Sequence, residues 1–380
     1  MPDCRTVGPS ERSVVRGIAP PRLIVRVGLP TPTGRLVRAA RSRRYPVLFS
    51  ANAFARRYPP RHEREGSFQR FGLPDPEQLQ GLDVALDSAG FVAAVRYGDY
   101  PWSVADYVEL AAAYPWAWWA SMDYCCEREV ATDRPLRLLR MAATVALYYE
   151  CRAEARLRGL SDPMPVLQGW TVSEYLQSMD WLALAEWPHL VGVGSVCRRS
   201  VHGVDGVLAI VEALDRALPP GVQLHLFGVK SEALAVLAHH PRIASTDSMA
   251  WDFAARRERP RQRTAAFRIH CMERWMHQQD AQLTTRARGA GLQTTLSALF
   301  DSALETEFEA QVLEALALQH AELILSRDLC LLDAVWSAKR DAATAITWVR
   351  QRRVSTTDLT ALDELIDGLA QRVEVLRASL

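Results

Sequence analysis

The chain has 380 residues, of which 49% are hydrophobic and 23% charged, and a formal net charge of +1. This length allows one large domain with an appendage or two ordinary domains, and the balance is that of a globular protein, which sets disorder aside. A net charge this small exerts no global pull toward nucleic acid, so any such attraction has to be local. The basic residues are almost all Arg, with Lys only at Lys230 and Lys339. The seven cysteines (Cys4, Cys125, Cys126, Cys151, Cys197, Cys271, Cys330) are odd in number and scattered. They do not suit a disulfide framework, and a reducing cytoplasm is the expected location. The first residues lack the apolar core of a leader, and the apolar run at 110–120 is short and Pro-broken, so no membrane span is expected.

Residues 1–44 are rich in Arg, Pro and Gly, with one β-like run at 23–27, and read as an N-terminal arm. Arg38, Arg41, Arg43 and Arg44 within it suit either phosphate contact or a solvated charged face. From Tyr45 onward, β-like runs at 46–50, 83–87, 116–123, 165–169, 190–195, 223–228 and 243–247 alternate with helical patterns at 104–114, 135–157, 171–185, 204–217 and 231–239. That alternation predicts a parallel sheet with crossover helices. The α/β fold expected for residues 45–285 is a (β/α)8-type TIM barrel, its eighth strand supplied near 265–269 or by the 23–27 run. A doubly wound open sheet is the alternative, although no Gly-rich dinucleotide fingerprint follows the first strand. After Asp252 comes a basic run (Arg256, Arg257, Arg259, Arg261, Arg263). Residues 286–380 carry helical periodicity with no strand signal, clearest at 305–318 and 358–380, and read as a helical C-terminal extension.

The run at 83–87 ends in Asp87-Ser88-Ala89-Gly90-Phe91, and buried parallel strands that deliver polar groups to their carboxyl ends are where barrels keep their chemistry. The other run ends supply Asp123, Gln168, Gly194 and Asp247, with Phe91 and Phe227 beside them. Two carboxylates facing one pocket divide nucleophilic and acid/base work, because burial and like charge drive their pKa values apart. A third carboxylate with a Gln and a Gly amide makes a planar hydrogen-bonding set, and two aromatic rings suit a flat heterocycle.

Six fragments fall in a telling order: Asp87-Ser88-Ala89-Gly90-Phe91, Met122-Asp123-Tyr124-Cys125, Leu167-Gln168-Gly169-Trp170, Gly192-Val193-Gly194-Ser195, Leu226-Phe227-Gly228-Val229 and Thr246-Asp247-Ser248. Together they resemble the motifs of the tRNA-guanine transglycosylase superfamily, TIM-barrel enzymes that exchange guanine for a 7-deazaguanine, with Ala89 standing where the family has a glycine. The resemblance covers residues 83–256. It implies that Asp247 is the nucleophile and Asp87 the general acid/base. It further implies that Ser88 lies in the base site, that Asp123 accepts from guanine N1 and its amino group, that Gln168 and the Gly194 amide donate to O6, and that Phe91 and Phe227 sandwich the ring. A covalent glycosyl intermediate and retained stereochemistry follow from a carboxylate nucleophile.

The departures are informative too. The family's Cys-x-Cys-x-x-Cys zinc site is absent, with only His270-Cys271 and His277 in that region, so no cofactor is assigned and zinc stays an open alternative. These departures resemble the branch that modifies DNA with deazapurines. DNA and a preQ0-like base are therefore the expected partners, with Arg256, Arg257, Arg259 and Arg261 on phosphates and partner proteins of a DNA-modification system a further expectation. The alternatives are tRNA as the polymer, a non-catalytic nucleobase or nucleic-acid binder, and a free-nucleoside glycosidase. Asp252 competes with Asp247 as the nucleophile, Asp247 could equally be a helix cap, and Cys125-Cys126 read as buried packing.

Overall fold

Short β-branched and aliphatic runs, each closed by a polar residue or Gly, set the strands, and capping residues set where the helices between them begin. The computed structural model describes residues 23–58, 67–238, 240–258 and 264–284. In chain order the elements are β1 (Ile24–Gly28), α1 (Arg35–Arg43), β2 (Val47–Ser50), β3 (Ala55–Tyr58), β4 (Ser67–Phe71), α2 (Pro76–Leu79), β5 (Val84–Asp87), α3 (Gly90–Val92), α4 (Val104–Ala112) and α5 (Arg134–Leu157). They continue with β6 (Val166–Leu167), α6 (Val172–Leu182), β7 (Leu190–Val193), α7 (Val207–Ala217), β8 (Gln223–Leu226), α8 (Ser231–Leu237), β9 (Ile243–Ser248), α9 (Ala250–Glu258) and α10 (Ala265–Thr284). Ser103 and Asp106 form a capping box at the start of α4, as Thr171 and Glu174 do at α6, each satisfying two otherwise orphaned amides. Asp133 accepts from the Leu136 amide at α5, with Pro at the helix start.

The fold is α/β, with a seven-stranded parallel sheet in the order β5-β2-β1-β9-β8-β7-β6. Its strands are buried on both faces, as crossover helices require. The two edges, β5 and β6, both bond to one further segment. Leu86 pairs with Trp119 and Ala120 with Met164, each as an isolated parallel bridge. Leu86 N donates to Trp118 O at 3.1 Å, and Ser121 N to Met164 O at 2.9 Å. Opposite edges that reach the same short segment mean that the sheet is curled.

Several expectations are corrected here. The 116–123 run makes bridges rather than a regular strand, and β6 is only two residues long, because Pro115, Pro163 and Pro165 remove amide donors from the ladders on either side. Residues 265–269 open α10 and are not a strand. The 23–27 run, the other expected source of a barrel strand, is β1, between β2 and β9, and it is followed by α1. Periodicity gave no warning of the β3–β4 antiparallel ribbon, whose first strand, Ala55-Arg56-Arg57-Tyr58, lacks an apolar alternation. Residues 285–380, including the expected helical extension, lie outside the described residues. No helix among the described residues is long and apolar enough to cross a membrane.

Two internal ion pairs tie the sheet to what surrounds it. Arg26, buried on β1, donates to Asp83 Oδ1 at 2.9 Å and lies 5.6 Å from the Trp118 ring centre. Arg137 of α5 meets Glu174 at 2.8–3.1 Å, and Glu174 also accepts from the amides of Trp170 (2.7 Å) and Thr171 (3.2 Å). This pair pins the turn that follows Gln168. Removing Glu174 would strand a buried guanidinium, so Glu174→Ala is expected to lower stability by about 3–5 kcal/mol. Denaturant titration checks this, and a loss below about 1 kcal/mol would show that the pair does not hold the turn.

Candidate active site

The strand register brings the polar run ends to one rim. Ser50 on β2 is the cross-strand partner of Asp87 on β5, and Asp247 on β9 is the partner of Arg26 on β1. Laid flat, Asp247 and Asp87 would be three strand spacings apart, about 14 Å. In the curled sheet they sense one another. Loss of water, and then repulsion from Asp123 and Asp247, push the Asp87 carboxyl from its ordinary 3.8 up to about 8. Asp87 Oδ2 accepts from the Ala89 amide at 3.1 Å. That turn holds Ala89 in the left-handed region, at φ 73° and ψ 28°, a conformation that favours glycine.

Asp123 is the centre of the hydrogen-bond network. Its Oδ1 accepts from the Ser88 hydroxyl at 2.7 Å and its Oδ2 from Gln168 Nε2 at 2.5 Å. Gln168 Oε1 in turn accepts from the Ser195 hydroxyl at 2.5 Å, and Ser195 Oγ accepts from the Cys126 amide at 2.6 Å. On the other side, the Tyr100 hydroxyl donates to Asp123 O at 2.8 Å and lies 2.9 Å from Ser88 Oγ. Burial raises the Asp123 pKa, while the Ser88 and Gln168 bonds oppose that shift. Two glycines make room for this network. A Cβ on Gly90 would fall 2.3 Å from Asp123 O, and one on Gly194 would fall 2.1 Å from Gln168 Nε2. The Gly194 amide itself donates to Leu167 O at 3.0 Å within the sheet. This corrects the expectation that it serves a base: the contribution of Gly194 is space.

Asp247 Oδ1 accepts from the Gly228 amide at 2.9 Å and lies 3.4 Å from His225 Nε2. His225 is fully buried, which lowers its pKa and holds the ring neutral. Its Nδ1 is 2.8 Å from Ser245 Oγ. An imidazole that accepts from Ser245 at Nδ1 carries its proton on Nε2, facing the carboxylate. Asp252, the competing nucleophile, is fully buried and held by Arg256 at 2.9 Å and Arg268 at 2.8 Å, so it is an ion-pair centre.

The expected ring clamp is divided. Phe227 packs edge-on against His225, with centroids 4.6 Å apart, and faces Trp118 at 6.3 Å. Phe91 is exposed at the rim beneath Arg198, 5.1 Å away. Of the expected phosphate contacts, Arg256 is engaged with Asp252 and Arg257 is exposed on α9, while Arg259 and Arg261 lie outside the described residues. Burial pushes the Cys125 thiol up to about 12 and Cys126 higher still, as packing residues would have it. Among the described residues no cluster of three His, Cys, Asp or Glu side chains suits a metal ion. Sequence reasoning missed Tyr100, Ser195 and His225. Ser195 and His225 stand on strands or at strand ends already singled out, where alternate positions face inward, whereas Tyr100 lies in a loop that gave no signal.

A family model described as DpdA, DeoxyPurine in DNA protein A, matches residues 63–314. No match was found among curated proteins. A solved structure from Coccidioides immitis, provisionally assigned as a fructose-1,6-biphosphate aldolase, is 15% identical, with 69% of this chain and 92% of that chain covered and a TM-score of 0.34. That likeness is too distant to bear on the chemistry.

Gly194→Ala is expected to displace Gln168 and to lower stability by about 1–3 kcal/mol, which denaturant titration checks. Asp87 binds its proton more tightly folded than unfolded, so its contribution to stability is fully present below about pH 4 and is lost as pH rises through about 8. Asp87→Asn should therefore raise the melting temperature relative to the unsubstituted protein at pH 9 but not at pH 4. An equal shift at both values would show that Asp87 titrates normally.

Proposed function

The chain belongs to the DpdA family, DeoxyPurine in DNA protein A, and on that premise we propose that it is a DNA-modification transglycosylase, exchanging guanine in DNA for a 7-deazaguanine such as preQ0. The single feature that carries the chemistry is the burial of Asp87 beside the Asp123 and Asp247 carboxylates, which together raise its pKa to about 8. A carboxyl group that keeps its proton near neutral pH suits a general acid, and a second carboxyl group facing the same pocket suits a nucleophile.

In this reading an oxygen of Asp247 bonds to the anomeric carbon as its bond to guanine N9 breaks, and Asp87 gives its proton to the departing base. The incoming deazapurine then loses its N9 proton to Asp87 and attacks the same carbon, releasing the Asp247 carboxylate. Two inversions retain the configuration at the sugar. The Gly228 amide, directed at Oδ1, favours attack by Oδ2. The Asp123, Gln168 and Ser88 cluster keeps further lone pairs and protons for the edge of the base, with Phe227 to one side and Phe91 at the mouth. The segment at 117–121 serves as the eighth strand of a TIM-type ring, which would account for both sheet edges bonding to it. Reaching the base requires it to leave the DNA stack, at about a few kcal/mol.

Incubating the protein with radiolabelled guanine or preQ0 and either DNA or tRNA tests the reading. Label is expected in DNA, and label in tRNA alone would reject it. Bound label without incorporation into either polymer would indicate a binder. Asp247→Asn should abolish exchange and leave base binding intact; normal exchange would show that the nucleophile is misassigned. Because the acid form of Asp87 is lost above its pKa, the exchange rate should fall as pH rises through about 8.

A further inference from the structure

The β3–β4 ribbon leaves the carboxyl end of β2, on the rim that carries Asp87. Within it Arg56 and Arg70 are direct cross-strand partners, and both are exposed. Two guanidinium groups opposed on one face of a two-stranded ribbon repel each other and destabilise it. Neither makes an ion pair with a carboxylate among the described residues. Gly72 leaves the space that Arg56 occupies, since a Cβ there would lie 2.6 Å from Arg56 Nε.

The opposite face of the ribbon is fixed firmly. Phe71 is buried, and Phe68 and Phe71 pack on Trp102 with centroids 5.6 and 5.2 Å away. Trp102 packs on Tyr100 at 5.7 Å, and Tyr100 is the residue hydrogen-bonded to Asp123 O. At the ribbon's root, Tyr97 donates to Asn52 Oδ1 at 3.0 Å, and exposed Arg96 lies 5.4 Å from the Tyr97 ring. Cations that pair with no carboxylate among the described residues, on a ribbon anchored through Trp102 and Tyr100 to the pocket's own hydrogen-bond network, fit a polyanionic strand whose base lies inside.

We propose that the β3–β4 ribbon, through Arg56 and Arg70, grips the phosphates of the DNA strand whose base enters the pocket. The assignment rests on the DNA reading above and adds to it the element that holds the backbone. Neutralising two phosphates releases their counterions, so removing both cations should lower the log–log salt slope of binding by about two.

The test compares the unsubstituted protein, R56A/R70A and the charge-keeping R56K/R70K by fluorescence anisotropy on a labelled oligonucleotide across a salt series. Binding of guanine is measured in parallel by calorimetry, and folding by circular dichroism. R56A/R70A should bind DNA more weakly at low salt, with the deficit shrinking about tenfold between roughly 50 and 200 mM salt. Guanine binding should be unchanged and R56K/R70K should restore most of the affinity. DNA affinity and salt slope unchanged in a folded R56A/R70A would overturn the ribbon assignment alone. If the unsubstituted protein does not bind DNA, the DNA reading fails and the ribbon assignment with it. Guanine binding lost together with DNA binding would also overturn it, since the ribbon would then act by shaping the pocket.

Discussion

Three carboxyl groups share one end of a parallel sheet, and their removal from bulk water, with repulsion between them added at Asp87, is the constraint around which the rim is organised. They cannot all ionise together, so Asp87 keeps its proton. Each of the other two accepts from donors assigned to it: Ser88 and Gln168 to Asp123, and the Gly228 amide to Asp247. Three chemically identical groups are thus distinguished by which donors the fold aims at each. Much of the surrounding sequence can be read as securing those donors. The Glu174–Arg137 pair holds the turn after Gln168, and Gly90 and Gly194 clear the volume that Asp123 and Gln168 fill.

The strands that bear site residues were legible in the sequence because each is an apolar run stopped by a polar residue, a pattern that burial on both faces imposes. Asp87, Asp123, Gln168 and Asp247 were found by that rule. What it could not supply was the use of each atom. The amide of Gly194 is spent on the sheet, and only coordinates reveal that the missing Cβ is what matters there. Proline placement explains why the 116–123 run is less regular than its apolar content predicts. The ribbon was hidden because its charged first strand has no apolar alternation and gains its stability from Trp102, about thirty residues further on.

His225 shows a different limit. On a strand, a histidine between two leucines reads as a core residue, and it is buried; its neutral ring nevertheless borders Asp247 on one side and Ser245 on the other. Beneath it lie Arg26 and Trp118, so the interior of the sheet's curl is furnished with polar and aromatic groups rather than aliphatic ones. Charge at the rim is therefore supported from below as well as from the sides.

The backbone at Ala89 has a consequence for how such a protein can change over time. A left-handed alanine in a buried turn stores about 1–3 kcal/mol, and its amide is the one that steadies Asp87. Replacing it with the glycine seen in related motifs would relieve that strain while keeping the amide that Asp87 accepts from. A single methyl group thus costs the fold stability at a turn whose hydrogen bond does not depend on it.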